Sequence, residues 1–289
     1  MKIIILIPVY NDWQSVFQLL ENIDKEISGL GDEISVIIVN DASTEQRLDF
    51  NLNLNNLKSV KLLNMKENKG HARCNAAGMK FINEREGFDY IIPMDGDGED
   101  RPEEIKLLVA KVKDYPNTVI TADRIKRSEG PIFKLGYQIH KYLTYVFTGK
   151  LIKFGNYTCL TKSSVDKMLK ESSTWSSFSG ALTKIAEERK SIPSTRGLRY
   201  FGPSKMSLLN LIKHSLSIIA VFKITVLIRS IIFLSVYCFL ISNYVSIITL
   251  IPVILTILMI IFIFILSKRE NIDELNNSLE NINNIENLK

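Results

Sequence analysis

Tyr90-Ile91-Ile92-Pro93-Met94-Asp95-Gly96-Asp97-Gly98-Glu99-Asp100 is a short apolar run that stops on a cluster of carboxylates. A run of this kind fits a strand covered on both faces, and such strands belong to parallel sheets. Ligands of open α/β sheets bind at the carboxyl ends of the strands, which is where these acidic side chains fall. The pattern repeats on either side. Residues 3–7 are an unbroken Ile/Leu run, and residues 13–27 carry Val16, Leu19, Leu20, Ile23 and Ile27 at helical spacing. Strands are expected at 34–39, ending on Asn40-Asp41, at 60–63 and at 119–122, with helices over 70–82 and from Pro102, where Glu103 and Glu104 suit a first turn. The β–α–β–α order predicts an α/β fold with a mostly parallel central sheet.

Beyond residue 123 the pattern is less regular. Helices are expected over 133–147, from Ser163, and over 178–188, where Arg189-Lys190-Ser191-Ile192-Pro193 ends the last; a strand is expected at 157–160. Two long apolar stretches follow, roughly 218–240 and 244–266, separated by Ser242 and Asn243. Each meets the length of about 20 residues that a membrane-spanning helix requires. Residues 207–222, with Lys213 and His214 among apolar residues, fit a helix lying on the membrane surface. The expected organisation is a catalytic domain over 1–205, an interfacial helix over 206–222, a transmembrane hairpin over 223–266 and a tail over 267–289. Lys223 and Arg229 would then snorkel or face protein. The tail reads as a short amphipathic or coiled-coil helix that would serve a homo-oligomer, or as a frayed end.

The chain has 289 residues and a formal net charge of +5, and much of the excess lies between Lys184 and Lys223. A basic segment beside a span fits anionic headgroups on the cytoplasmic side of a bilayer. No recognition module accompanies it, so nucleic acid is not the expected partner. Three scattered cysteines fit a reduced compartment. The run at 3–7 is too short for a signal peptide and has no cleavage site, so it reads as a strand, with the soluble domain kept in the cytoplasm.

Asp95 and Asp97 together can hold a divalent ion against the oxygens of a leaving diphosphate. The same triplet could be a solvated acidic turn. Asp41 can accept from a base imide or a ribose, or serve as a turn aspartate. Gly70 permits close approach of backbone to a ligand, and Arg73 either contacts a phosphate or lies on the surface. Arg199 and Lys205, just ahead of the surface helix, could clamp a phosphate of donor or lipid, or simply attract headgroups. Trp175 and Phe178 are a sugar or lipid platform or core residues. His71 is given no catalytic role.

Taken together these residues resemble the family 2 inverting glycosyltransferases of the GT-A fold, and within them the polyprenyl-phosphate glycosyltransferases and dolichol-phosphate mannose synthase. Ile7-Pro8-Val9-Tyr10-Asn11 is similar to the family's first-strand motif, with Asp12 where glutamate is usual. Val39-Asn40-Asp41-Ala42-Ser43-Thr44 resembles the nucleotide-binding motif, with Asn40 in place of aspartate. Lys66-Glu67-Asn68-Lys69-Gly70, Met94-Asp95-Gly96-Asp97 and the stretch Arg199 to Lys205 are similar to the loop before the small-residue helix, the metal motif and the phosphate-contacting motif.

The resemblance implies a nucleotide-diphosphate sugar donor (UDP or GDP) and a Mg2+ or Mn2+ ion on Asp95 and Asp97. Donor contacts are implied from Pro8, Tyr10, Asn11, Asp41, Gly70, Arg73 and Asp95. It further implies a polyprenyl phosphate acceptor whose oxygen attacks the anomeric carbon with inversion, at the inner membrane, with both termini cytoplasmic. Gly155-Asn156-Tyr157-Thr158-Cys159 departs from the family, several members of which carry aspartate and arginine where Asn156 and Thr158 stand. Asn156 can orient a phosphate or hydroxyl but cannot act as a base. A glycan or another lipid acceptor, or a non-catalytic membrane scaffold that keeps the fold, are the alternative readings.

Overall fold

Seven consecutive residues of strand β1 (Lys2–Val9) are buried, and their side chains alternate between two cores. Ile3, Ile5, Ile7 and Val9 pack on one side with helices α1 (Trp13–Glu26) and α3 (Ile105–Asp114). Ile4 and Leu6 pack on the other with α2 (His71–Arg85), α5 (Lys162–Leu169) and α6 (Phe178–Ile185). A strand sends successive side chains to opposite faces, so only a sequence apolar at every position can sit between two helical layers. The computed structural model describes residues 1–47, 53–126, 131–186, 188–203 and 208–289.

Among the described residues the sheet has eight strands. They are β1, β2 (Glu33–Asn40), β3 (Val60–Met65), β4 (Tyr90–Pro93), β5 (Val119–Lys126), β6 (Thr158–Thr161), β7 (Arg189–Thr195) and β8 (Ile282–Asn287). Their order is β7-β5-β6-β4-β1-β2-β3-β8. The centre, β4-β1-β2-β3, is parallel, as expected; Ile5 lies between Val36 and Ile92 in register. β6 and β8 run antiparallel to their neighbours, so the sheet is mixed towards both edges.

Two expectations fail here. Arg189 to Pro193, expected only to end a helix, begins strand β7, which pairs in parallel with β5. Its alternation of exposed and buried residues is short, with Lys190 and Ser191 both exposed, so it carries little periodic signal. The tail is neither a coiled-coil helix nor frayed. After the five-residue helix α10 (Ile272–Asn276) it forms β8, which covers the free edge of β3. Leu275 is fully buried against Ala76 and Trp175. The 3- and 4-residue spacing of apolar residues is helical only over α10, which carries Ile272 and Leu275; Leu279 and Ile282 lie beyond it, in the turn and at the start of β8.

Helix α4 (Pro131–Thr148) is followed, after the strands already described, by α7 (Leu208–Ala220), α8 (Lys223–Ile241) and α9 (Ile247–Ser267). The last two are long and apolar enough to cross a membrane, and only 11% of the most apolar window of each is buried. A core helix of a soluble protein would be mostly covered, so these are helices with an apolar exterior. Ile218 to Val221, counted with the first span in the sequence, belong to the end of α7 and the turn after it; Ile219 and Ala220 pack with Val226, Ile263 and Leu266. Lys223 faces protein, on Glu270 at 3.0 Å. Arg229 donates to the carbonyls of Val146 (2.9 Å) and Tyr145 (3.4 Å) at the end of α4, where a cation also suits the helix dipole.

Helix α2 approaches the sheet closely at Gly78. A Cβ built there would lie 2.4 Å from Leu6 Cδ1 and 3.0 Å from Val39 Cγ2. Gly78→Ala is therefore expected to destabilise the domain by about 1–3 kcal/mol through overpacking. A melting temperature equal to that of the unmodified protein in the same detergent would show that this layer can yield.

Candidate active site

The carboxyl ends of parallel β1, β2 and β4 lie on one edge of the sheet, and the loops that leave them meet there. The loops after β1 and β2 are tied to each other. Asn11 donates its backbone N–H to Ser43 Oγ (2.9 Å) and accepts at Oδ1 from the N–H groups of Thr44 (2.8 Å) and Glu45 (3.0 Å). Asn11 and Ala42 both hold positive φ, 51° and 53°, an unusual conformation for residues other than glycine. Pro8 lies within β1 opposite Val39, and Tyr10 is exposed at the mouth. Asn40 accepts from the Ser43 N–H (2.9 Å) and donates to Asn64 (2.8 Å), so it closes a turn.

Asp41 is 3% exposed, and its two oxygens accept from the backbone N–H groups of Lys69 (2.7 Å) and Gly70 (2.8 Å). Its carboxylate thus fixes the loop leading into α2. Arg73, the third residue of α2, lies with its guanidinium 5.5 Å from the centre of the Trp175 ring and donates to the Lys69 carbonyl at 3.3 Å. Trp175 and Phe178 are both buried, and Trp175 donates its indole N–H to Glu274 (2.6 Å), so these two aromatics are core and tail-docking residues.

Asp95 and Asp97 follow β4 directly. Antiparallel β6 begins on the same edge, which brings Asn156 to the motif: its Nδ2 donates to Asp95 Oδ1 at 3.2 Å. His71, the first residue of α2, places Nε2 at 3.2 Å from Asp95 Oδ1, and the same nitrogen lies 2.6 Å from Asn156 Nδ2. β7 also ends on this edge. Arg199, after it, spans Asp97 Oδ2 and Asp12 Oδ2 at 2.5 Å each, and Arg196 pairs with Glu99. Tyr200 lies against Gly98, whose φ of 89° and lack of a Cβ (one would lie 2.6 Å from the ring) admit the phenol there. The segment 196–200 thus straps over the acidic motif. Lys205 lies outside the described residues.

Charge is unevenly shared among these carboxylates. Burial pushes Asp95 up, but His71, Arg196 and Arg124 outweigh it and hold Asp95 well below the usual carboxylate range. Burial and the Asp95 charge push Asp97 up to about 6, against Arg199 and Arg196. Burial and Asp95 likewise push Asp100, whose Oδ2 accepts from the Asp95 N–H (3.0 Å), up to about 8. Burial would depress the His71 imidazole, but Asp95 raises it above its ordinary value.

Asp12, His71, Asp100, Arg124 and Arg196 therefore join the site although sequence reasoning gave them no role there. Asp100 was visible as part of the acidic run. The others reach it from distant segments through the sheet topology, with no local pattern. Among the described residues, no three His, Cys, Asp or Glu side chains form a closed cage for a metal ion. Two adjacent carboxylates, Asp95 and Asp97, suit a divalent ion that takes its other ligands from phosphate and water, and the cations beside them suit the phosphate.

The model of glycosyl transferase family 2 matches residues 4–178, which is more than half of the chain, and the chain belongs to that family. Its class is that of enzymes that transfer a sugar from a donor to an acceptor. Solved structures similar to it include a fragment of S. aureus TarS, residues 1–349, at 15% identity, covering 97% of this chain and 90% of that one at a TM-score of 0.50. The mannosyltransferase PcManGT from Pyrobaculum calidifontis is 12% identical over 96% of this chain and 86% of its own, at a TM-score of 0.51. Glucosyl-3-phosphoglycerate synthase from Mycobacterium tuberculosis is 14% identical over 79% of each chain, at a TM-score of 0.50. At these identities the likeness is one of fold, and the fold is GT-A.

A proton and a cation compete for the Asp97 carboxylate. Below its pKa of about 6 the proton wins, so Mn2+ affinity is expected to fall about fivefold as pH drops from 6 to 5, and to vary little above 7. Titration of the full chain with Mn2+ followed by electron paramagnetic resonance measures this. A flat profile between pH 5 and 7 would remove Asp97 from the cation site.

Proposed function

We propose that this chain is a membrane-anchored inverting glycosyltransferase that moves a hexose from a UDP- or GDP-sugar to a polyprenyl phosphate at the cytoplasmic face of the inner membrane. The observation that carries the reading is the conjunction of the acidic motif at the sheet's carboxyl edge with two apolar helices whose far end returns to the same sheet. Because β8 pairs with β3, the chain before α8 and the chain after α9 lie on one side of any bilayer the helices cross. Family membership supports the transfer chemistry. Proteins of the same fold have been solved with UDP-GlcNAc (S. aureus TarS) and with GDP-Man and Mn2+ (PcManGT), which supports the donor class and the ion.

Asp95 and Asp97 hold the ion, which when bound neutralises the charge that builds on the departing diphosphate. Asp41 holds the Lys69–Gly70 loop in place for the donor, with Tyr10 and Asn11 across the cleft. Arg199 pairs with Asp97 and Asp12, and its guanidinium would be the group that meets a phosphate of donor or lipid at this site. Lys205, outside the described residues, is the second cation that the sequence offers for this role. A phosphate monoester is already ionised near neutral pH, so its oxygen attacks the anomeric carbon without a strong base. The new C–O bond forms as the bond to the nucleotide diphosphate breaks, and the configuration inverts. Asn156, on Asp95, then orients a sugar or phosphate oxygen, a role that needs no proton transfer.

Exposed apolar side chains extend the membrane reading to α4, where Ile139, Tyr142 and Tyr145 face outward. Tyrosines on such a face suit the headgroup level. Asn156, in place of the family's aspartate, favours one second reading, the same donor chemistry on a different lipid or glycan acceptor.

Transfer from radiolabelled UDP- and GDP-sugars to undecaprenyl phosphate in detergent tests both readings. The expected result is Mn2+- or Mg2+-dependent label in the lipid fraction, lost by about 100- to 1000-fold in Asp97→Ala with an unchanged melting temperature. Donor hydrolysis without labelled lipid would reject the acceptor. Full activity of Asp97→Ala would reject the assigned cation site.

A further inference from the structure

Two loops carry the donor contacts of the proposed reaction, 40–47 after β2 and 66–70 before α2, and Asp41 joins them. Both are also held from behind by the tail. Glu286 of β8 pairs through Oε2 with Arg47 (2.8 Å), and its Oε1 accepts from Asn64 Nδ2 at 2.6 Å. Asn64 Oδ1 accepts from Asn40 Nδ2 at 2.8 Å, and Asn40 Oδ1 accepts from the Ser43 N–H at 2.9 Å. Ser43 Oγ in turn receives the Asn11 N–H. On the second loop, the Lys66 N–H donates to the Asn281 carbonyl (2.7 Å), and Asn281 Nδ2 donates to the Glu67 carbonyl (3.0 Å).

The sheet register builds this line of side chains. Asn40 lies opposite Asn64 in the parallel β2–β3 pair. Glu286 lies opposite Leu62, two residues from Asn64 and on the same face, a diagonal that a long side chain spans. Chemistry then gives the line one direction. A backbone N–H only donates, and a carboxylate paired with a guanidinium only accepts. The two amides between them are consistent in a single orientation, with each oxygen towards Ser43 and each NH2 towards Glu286. A hydrogen bond to a charged acceptor is stronger than one between neutral groups, so the direction is imposed from the tail. The Arg47 pair is about one-third exposed and counts for less. At the far end lies the turn in which Ala42 holds a φ of 53°. Such a conformation persists only where its surroundings over-determine it. Covering the edge of β3 needs the backbone pairing of β8 alone, and a carboxylate joined to the loop after β2 is no part of that task.

We infer that Glu286 is a positioning residue for the donor site. Through Asn64 and Asn40 it fixes the 40–47 loop in the form that receives the nucleotide, while Asn281 fixes the 66–70 loop. Glu286 itself touches no substrate. This inference rests on the reading of these loops as the donor site. Because Glu286 follows both apolar helices, the donor site is complete only when the chain has returned from the hairpin to β3.

Full-length protein in detergent is titrated with UDP and with GDP, each in the presence of Mn2+, by isothermal titration calorimetry. Affinity for Mn2+ alone and the melting temperature are measured on the same samples. Glu286→Ala is expected to weaken binding of the nucleotide that the unmodified protein takes by about tenfold, with Mn2+ affinity changed by less than about twofold. Asn64→Asp, which sets two carboxylates face to face, should weaken it at least as much. The Glu286→Gln/Asn64→Asp double variant exchanges the charge between the two positions. Its glutamine amide donates to the new carboxylate, which still accepts from Asn40, so nucleotide affinity should return to within about twofold of the unmodified protein. Unchanged nucleotide affinity in Glu286→Ala would overturn the inference and leave the donor reading intact. A loss that the double variant does not restore, or that comes with a lowered melting temperature and an equal loss of Mn2+ affinity, would make Glu286 a residue of stability only and overturn it too. Binding of neither nucleotide by folded, unmodified protein would overturn the donor reading and the inference together.

Discussion

Strand β1 is buried on both faces from Ile3 to Val9, and its alternating side chains hold α1 and α3 on one side and α2, α5 and α6 on the other. This double burial fixes where everything else lies. With β1 in place, parallel pairing aligns the carboxyl ends of β2 and β4 with its own. The loops that follow those three strands must then share one edge. Asn11, Asp41, Asp95 and Asp97, distant in sequence, become neighbours through register. The close approach of α2 at Gly78 belongs to the same constraint, because it sets the depth from which His71 reaches Asp95.

On that edge the chain packs carboxylates and cations together. Asp12, Asp95, Asp97 and Asp100 meet His71, Arg124, Arg196 and Arg199, and the balance is uneven: Asp95 keeps its charge while Asp97 and Asp100 are pushed to bind protons. The strap 196–200 provides two of the cations, Arg196 and Arg199. Arg199 holds two carboxylates from different loops, so it also keeps the β1 and β4 loops together until something replaces it.

The C-terminal part solves a different problem. Two helices with apolar exteriors would be tethered at one end only if the tail were loose. Instead α10 and β8 bring the chain back to the sheet, with Leu275 buried beside Trp175 and β8 on the edge of β3. The same pairing covers an edge that would otherwise be open to another strand. The hairpin base is further fixed by Lys223 on Glu270 and by Arg229 on the end of α4. These charges near an apolar span are thus spent on protein contacts at its root.

The central strands, the α/β class, the acidic motif and the two long apolar helices were all legible in the sequence, because each is written in local periodicity or composition: unbroken apolar runs, helical spacing, carboxylates after a strand. What lacked local signature was decided only by the tertiary structure. β7 and β8 are edge strands with mixed polarity, so their sequences do not announce burial, and only pairing with β5 and β3 makes them strands. Nothing local in the sequence tells that Asp41 accepts from the Lys69 and Gly70 N–H groups, because that loop is brought to it by the fold. His71, Arg124 and Arg196 enter the site because antiparallel and parallel strands deliver their neighbours to one edge. That is a property of topology, which no window of sequence contains.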